Sequence, residues 1–279
     1  CRTNAAHPFR FVTGQLTGSY DPEPVATAKN VVVVGAGPAG LEAARVAAER
    51  GHSVTLYEKK GSVGGLLEFA NNVKGPHENL SVLRSYFERQ MEVLGVNVML
   101  NTEATADIIA EASPDIVIAA TGGVRDTLGL SDTAGTKVVG IDDFMMADIA
   151  EEVVIVGSNV QAIDAAMYLL AQGKHVQVVT PNAASAIGAG HSFWVKTFTQ
   201  PNMKALGVRF WPEATVTAVN DGSVTVKTAT GIEQEIACGT VVEALDCLPN
   251  DNLSTGLSCE VVTVGDAARP FNIGEAICS

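Results

Sequence analysis

The chain has 279 residues, of which 47% are hydrophobic, so it can build the cores of two domains of ordinary size. Its formal net charge of −13 argues against nucleic acid or an anionic membrane surface as a partner. No apolar run reaches the roughly 18 residues of a membrane span, and no signal peptide is recognisable. With 5% aromatic residues and 27 glycines, the composition is typical of α/β layers.

The five cysteines are widely spaced and form no C-x-x-C pair. They are Cys1, Cys238, Cys247, Cys259 and Cys278. This spacing argues against a disulfide framework, a structural zinc site and dithiol redox chemistry, which needs two neighbouring thiols. We therefore expect a reducing, cytoplasmic environment.

Residues 1–29 show no sustained hydrophobic period and are predicted to be a linker. Strands and helices then alternate. The predicted elements are strand 31–34, helix 38–50, strand 53–58, helix 80–94, strand 96–100 and strand 116–120. The four consecutive valines of the first strand indicate a parallel strand that is covered on both faces.

The glycine turn after this first strand has the spacing of a dinucleotide-binding fingerprint. Gly35 permits the tight turn, Gly37 lets a pyrophosphate approach the backbone, and Gly40 lets the helix pack closely on the strand. The helix N-terminus offers free N–H groups and a partial positive charge. Glu58 ends the next strand, where a carboxylate can bind both hydroxyls of an adenosine ribose. Together these features predict dinucleotide or ADP binding.

A second unit of the same kind begins near residue 151, which makes the chain an internal repeat. Its predicted elements are strand 153–157, helix 162–172, strand 175–180, strands 214–219 and 223–228, and strand 240–245. Asp221-Gly222 between the two alternating strands predicts a hairpin. A last buried strand leads to Gly265-Asp266.

Five motifs in this order carry a family resemblance. They are Gly35-Ala36-Gly37-Pro38-Ala39-Gly40, Glu58, Gly64-Gly65-Leu66, Ala120-Thr121-Gly122-Gly123 and Gly265-Asp266-Ala267. Together they resemble the flavoproteins that have two dinucleotide-binding domains. The resemblance implies an α/β fold with two Rossmann-like domains, the second inserted in the first, and a carboxylate of Asp266 on the ribityl chain of FAD. It divides the chain into a linker (1–29), a first FAD-binding part (30–150), an NAD(H)-binding domain (151–245) and a truncated second FAD-binding part (246–279).

Cys1-Arg2-Thr3-Asn4 narrows the resemblance further. The motif is similar to the stretch that carries the last ligand of a [4Fe–4S] cluster in the 2,4-dienoyl-CoA reductase and trimethylamine dehydrogenase branch of the old yellow enzymes. The resemblance implies that Cys1 is one of four cluster ligands. It also implies an N-terminal FMN-binding (β/α)8 barrel in the same polypeptide, a homo-oligomer, and a small enone or enoyl substrate. We therefore expect this chain to be a piece of a longer polypeptide.

The second nucleotide unit departs from the fingerprint. Gly157 keeps the first glycine, but Asn159 replaces the second, and a side chain there crowds an approaching pyrophosphate. Thr180-Pro181-Asn182 has no Arg or Lys nearby to meet a 2′-phosphate, which favours NADH over NADPH. Asp246 stands where the family usually has glycine, and its carboxylate would repel phosphate.

Two functions of different classes remain open at this point. In the first, NADH passes a hydride to FAD, and electrons travel through the cluster to FMN in the barrel, with flavin-centred chemistry and no catalytic side chain in this part. In the second, the chain is a docking module that holds ADP and has no redox role. The candidate cofactor-binding residues are Gly35, Gly37, Pro38, Ala39, Gly40, Glu58, Gly64, Gly65, Leu66, Ala120, Thr121, Gly122, Gly157, Asn159, Val160, Asp164, Thr180, Gly265 and Asp266.

Overall fold

The computed structural model describes residues 22–75, 78–191, 193–250, 252–254 and 257–279. The predicted α/β class with Rossmann-like parallel sheets is confirmed. The described residues form two compact units. The first contains residues 22–124 together with Cys247–Ser279, and the second is Arg125–Asp246.

The first unit is built on a five-stranded parallel sheet. Its strands are β1 (Asn30–Val34), β2 (Ser53–Tyr57), β3 (Asn97–Met99), β4 (Ile116–Ala119) and β15 (Glu260–Thr263), in the spatial order β15-β4-β1-β2-β3. Its helices are α1 (Pro38–Glu49), α2 (Leu67–Lys74), α3 (Leu80–Val93), α4 (Ala106–Glu111) and α7 (Ile273–Cys278). The central strand β1 is buried on both faces, because Val31 and Val33 join one hydrophobic cluster while Val32 and Val34 join another.

The second unit repeats this sheet. Its parallel strands are β6 (Lys137–Gly140), β7 (Glu152–Val156), β8 (His175–Val179), β9 (Arg209–Trp211) and β13 (Thr240–Glu243), in the order β6-β13-β7-β8-β9. Its helices are α5 (Val160–Ala171) and α6 (Phe193–Ala205). Two further short strands, β5 (Val124–Arg125) and β14 (Cys247–Leu248), lie at the two points where the chain passes from one unit to the other. Within the residues described, no helix is long and apolar enough to cross a membrane.

An antiparallel sheet of three strands connects β9 to β13. It contains β10 (Ala214–Asn220), β11 (Ser223–Thr228) and β12 (Glu233–Ala237). The predicted hairpin is confirmed, because Asn220 pairs with Ser223 across Asp221-Gly222, and Gly222 has a φ of +79° that favours glycine. The third strand was not predicted.

The division of the chain into cofactor-binding domains at residue 150 stays a prediction, and the second sheet starts before that residue. Strand β6 pairs with β13 of the second unit, and the second unit begins at Arg125. Strand β6 is a short edge strand with one buried residue, so its sequence carries little signal of its sheet.

A buried ion pair lies on helix α1. Arg45 donates to both carboxylate oxygens of Glu42, from Nε at 2.8 Å and from Nη2 at 2.9 Å, and Nη1 donates to Glu49 at 2.6 Å. Arg45 and Glu42 are only 5% and 3% exposed. Hydrogen bonding to Glu42 holds the pKa of Arg45 above its ordinary value, so the guanidinium stays charged.

We expect Arg45→Met to lower the free energy of unfolding by about 3–5 kcal/mol, because Glu42 then loses its guanidinium in a buried site. The matched control is Arg89→Met on α3, since Arg89 pairs with Glu92 at the same i,i+3 spacing but both side chains are about 70% exposed. That control should change stability by less than about 1 kcal/mol. Urea denaturation measures both, and equal losses would contradict the assignment.

Candidate dinucleotide-binding sites

The turn after β1 is shaped by backbone contacts. Gly35 has a φ of +99°, and a Cβ there would lie 2.3 Å from the carbonyl oxygen of Ala120. A Cβ on Gly40 would lie 1.9 Å from the carbonyl oxygen of Gly35. Only glycine fits at either position. Gly37 differs, because a Cβ there would meet nothing within 4 Å. The backbone at Gly37 is therefore open on the side from which a ligand can approach.

Helix α1 begins at this opening. Gly37 is its N-cap and supplies no side-chain cap, and Pro38 occupies the first helical turn. The first-turn amides of a helix lack intrahelical partners and carry a partial positive charge. An open, uncapped helix N-terminus beside a glycine turn can bind an anionic group such as pyrophosphate.

The carboxylate of Glu58 is fixed beside the same turn. Its Oε2 accepts a hydrogen bond from the Ala36 amide at 2.8 Å, and its Oε1 accepts one from the Lys60 amide at 2.8 Å. The residue is 8% exposed. Each oxygen of an ionised carboxylate can accept a further hydrogen bond. The structure therefore brings Glu58 and the glycine turn together as the sequence predicts.

Sequence reasoning did not single out Ala36 and Lys60. Both act through backbone N–H groups, which every residue except proline has, so the side-chain pattern holds no signal for them.

The Gly64-Gly65-Leu66 loop packs on the turn. The Gly64 amide donates to the Ala36 carbonyl at 2.8 Å, and a Cβ on Gly65 would lie 3.0 Å from the Cα of Gly37. Both glycines have positive φ, of +116° and +53°. Leu66 is the N-cap of α2. The loop borders the opening at Gly37 without filling it.

The two remaining motifs of the first unit also lie at this edge. Gly122 has a φ of +74° and open space around its Cβ position. Gly265 has a φ of +62°, and a Cβ there would lie 2.5 Å from the Cβ of Ala39 in the first turn of α1. Oδ1 of Asp266 accepts a hydrogen bond from the Phe271 amide at 3.2 Å. Five separated motifs thus gather at the carboxyl ends of β1, β2, β4 and β15, where ligands bind open parallel sheets.

The second unit repeats the close contact between a glycine and a neighbouring carbonyl, but its helix N-terminus is capped by a side chain. A Cβ on Gly157, whose φ is +137°, would lie 2.1 Å from the carbonyl oxygen of Ala244. At the helix N-terminus, however, Oδ1 of Asn159 caps α5 by accepting from the Ala162 amide at 2.9 Å. Its Nδ2 donates to the carbonyls of Ala244 and Leu245 at 3.0 and 3.2 Å and to Oδ1 of Asp246 at 3.1 Å.

The Asn159 side chain therefore occupies the position at which the first unit is open. A pyrophosphate that reaches the backbone of this turn would have to displace Asn159 from these hydrogen bonds. The sequence predicts that Asn159 and Asp246 each oppose the binding of a pyrophosphate. In the structure the two side chains are hydrogen-bonded to each other, so they would act together.

The other predicted residues of the second site are engaged within their own unit. Val160 is the first residue of α5. Oδ1 of Asp164 lies 3.4 Å from Nε2 of His191, and both side chains are about 10% exposed. Thr180 is fully buried and donates to the Ser158 hydroxyl at 3.1 Å. Their roles toward a nucleotide stay predictions.

The cysteines divide by accessibility. Burial raises the pKa of the Cys238 thiol to about 11, so this thiol is protonated at neutral pH and is a poor nucleophile. Cys278 is exposed. Cys1, the predicted cluster ligand, lies outside the described residues.

Two parallel sheets, each with a glycine turn and a helix N-terminus at its switch point, define a protein of the dinucleotide-binding class. The model of the pyridine nucleotide-disulphide oxidoreductase family matches residues 29–266. The chain therefore belongs to this family.

Individual proteins to which the chain is similar include members of the old yellow enzyme branch that the sequence motifs resemble. The NADH oxidase of Thermoanaerobacter brockii is 39% identical over 157 residues, which are 54% of this chain and 24% of that protein. The multifunctional alkene reductase/demethylase OYE of Caballeronia cordobensis is 38% identical over 121 residues, 43% of this chain and 18% of that protein. The structure of a 2-naphthoyl-CoA reductase is 29% identical, with a TM-score of 0.82 over 100% of this chain and 48% of that one.

These matches confirm the resemblance to the flavin-binding part of the old yellow enzyme branch. The chain spans about half the length of the 2-naphthoyl-CoA reductase chain, and its alignments span a quarter or less of the two sequence relatives.

We expect Glu58→Ala to weaken ADP binding by about 1.5–3 kcal/mol, because a charge-assisted pair of hydrogen bonds to the ribose is lost. Isothermal titration with ADP and with 2′-deoxy-ADP measures the effect. The wild type should prefer ADP, and the variant should lose that preference.

The control is Glu92→Ala, which removes an exposed carboxylate on α3 and should leave both affinities unchanged. If Glu58→Ala still prefers ADP to the deoxy analogue, the carboxylate does not bind the ribose.

Proposed function

We propose that this chain is the FAD-binding, NADH-oxidising part of a larger flavin oxidoreductase. The observation that carries the proposal is the open helix N-terminus at Gly37 beside the buried carboxylate of Glu58. An anion site and a ribose acceptor at one sheet edge fit the ADP half of FAD. The similarity to an NADH oxidase and to two reductases supports the redox role.

The residues of the first unit would hold the cofactor in a defined order. The first turn of α1 would neutralise the pyrophosphate, Glu58 would bind the ribose hydroxyls, and Asp266 would bind a hydroxyl of the ribityl chain. FAD, when bound, supplies a ring that accepts a hydride and releases electrons one at a time. The task of this chain is to bind and orient the cofactor, and it needs no general acid or base.

The onward path belongs to the rest of the polypeptide. We propose that Cys1 contributes one thiolate to a [4Fe–4S] cluster and that FMN in an N-terminal barrel receives the electrons. The barrel would then reduce an activated alkene of the enone or enoyl class. The relatives described as an alkene reductase and a 2-naphthoyl-CoA reductase support this substrate class, as does the half of the latter chain that lies outside the match.

A second candidate function is favoured by one specific observation. Asn159 fills the helix N-terminus of the second unit and is bound by four partners. If that side chain stays in place, NADH does not enter, and the chain is a docking module that holds ADP in its first unit.

An anaerobic visible spectrum before and after one equivalent of NADH separates the two functions. The proposal expects flavin bands that belong to FAD and that bleach when NADH is added. Release of ADP from the denatured protein, or FAD that does not respond to NADH, would support the docking module instead.

We expect Asn159→Gly to tighten NADH binding by about tenfold, because the ligand no longer has to displace hydrogen bonds worth roughly 1.4 kcal/mol. The ligand-free variant should be less stable by about the same 1.4 kcal/mol, because it has already lost those hydrogen bonds. Stopped-flow reduction of the flavin at increasing NADH concentrations measures the affinity.

The matched variant is Asn159→Asp, which keeps a capping oxygen but places a second carboxylate beside Asp246. It should weaken NADH binding. If the glycine and aspartate variants respond alike, Asn159 does not control entry to the site.

A further inference from the structure

One buried polar atom is unaccounted for by the fold. Among the described residues, Oδ1 of Asn250 is the one buried side-chain oxygen or nitrogen without a hydrogen-bond partner. An unpaired acceptor removed from water is unfavourable, and such groups in folded proteins call for a specific explanation.

The backbone of Asn250 is fixed between two of the cofactor motifs. Its amide donates to the carbonyl of Ala267 at 3.1 Å, next to Gly265-Asp266. Its carbonyl accepts a hydrogen bond from the hydroxyl of Thr121 at 2.8 Å, in the Ala120-Thr121-Gly122 motif. Asn250 therefore bridges the end of β4 and the turn after β15, and all three residues belong to the first unit.

This position differs from that of the ADP-binding groups. The groups that suit ADP are the Gly37 turn and Glu58, which lie after β1 and β2. Asn250 instead joins the loops after β4 and β15, on the other side of β1 in the sheet order. In the proposed function this side takes the ribityl chain, whose hydroxyl groups are hydrogen-bond donors that need acceptors when they leave water.

We infer that Asn250 is a further FAD-binding residue, whose carboxamide oxygen accepts a hydrogen bond from a ribityl hydroxyl. The inference rests on the proposed binding of FAD in the first unit. ADP has no ribityl chain and leaves this oxygen unpaired, so Asn250 contributes to the preference for FAD over ADP.

The test uses Asn250→Leu, which keeps a similar shape and removes the unpaired oxygen. Thermal unfolding of the ligand-free protein should occur at the same or a higher temperature than in the wild type. FAD affinity, measured by quenching of flavin fluorescence, should fall about tenfold, as expected for one lost hydrogen bond with an unpaired partner. ADP affinity should be unchanged.

Asn250→Ala serves as a second variant in case leucine does not fit, and it should show the same selective loss of FAD. The control is Asn220→Ala in the β10–β11 hairpin of the second unit, where the side chain hydrogen-bonds Thr225 and Glu235. It should leave both affinities unchanged.

The outcomes separate the inference from the proposed function. If the wild type binds ADP but not FAD, the proposed function fails, and the inference fails with it. If the wild type binds FAD and both Asn250 variants keep the wild-type ratio of FAD to ADP affinity, only the inference is overturned. A lower unfolding temperature with equal losses for both ligands would assign Asn250 a structural role instead.

Discussion

The architecture depends on one backbone contact that occurs in both units. The glycine that ends the central strand lies against the carbonyl that ends a neighbouring strand, Gly35 against Ala120 and Gly157 against Ala244. A Cβ would come within 2.3 and 2.1 Å of those oxygens, so no other residue permits the approach. Because the following helix starts directly from this turn, its N-terminus is fixed at the point where the strand order reverses.

The two copies differ in what lies beyond that contact. In the first, Gly37 and Gly122 leave open space on both sides of the turn. In the second, Asn159 occupies the position of Gly37 and Asp246 that of Gly122, and the two side chains are hydrogen-bonded to each other. A side-chain cap stabilises a helix by about 0.5–2 kcal/mol, so a ligand of the second unit must exceed that gain before it binds. The same backbone thus forms an open anion site in one unit, whereas in the other the helix N-terminus is capped by a side chain of the protein itself.

The sequence was sufficient for features that depend on local pattern. The buried valines of β1 and β7, the start of α1 at Pro38 and the Asp-Gly hairpin were all predictable, because periodicity, proline and glycine act over a few residues. Strand β6 was not predictable, since its partner β13 is distant in the chain. Strand β12 pairs with the neighbouring β11, but it was missed because it is mostly polar and has one buried residue. Helix α6 was also missed, and it contains Pro201, which ordinarily argues against a helix interior.

The candidate site shows the same division between side-chain and backbone information. Glycines and Glu58 are visible in the sequence, whereas the amides of Ala36 and Lys60 that hold the carboxylate, and the two loops that fix Asn250, appear only in the fold.

This reliance on backbone groups also explains how an acidic chain can bind an anionic cofactor. The net charge is −13, and the glycine turn from Gly35 to Gly40 contains no Lys or Arg. Within this turn, attraction of a pyrophosphate comes from the helix N-terminus and oriented amides, which act over the first turn of a helix rather than through the net charge. The glycines are needed because these amides are effective only when the phosphate reaches the backbone itself. A side chain at Gly37 would close the open face of the turn, and the partial charge behind it would then have no ligand within range.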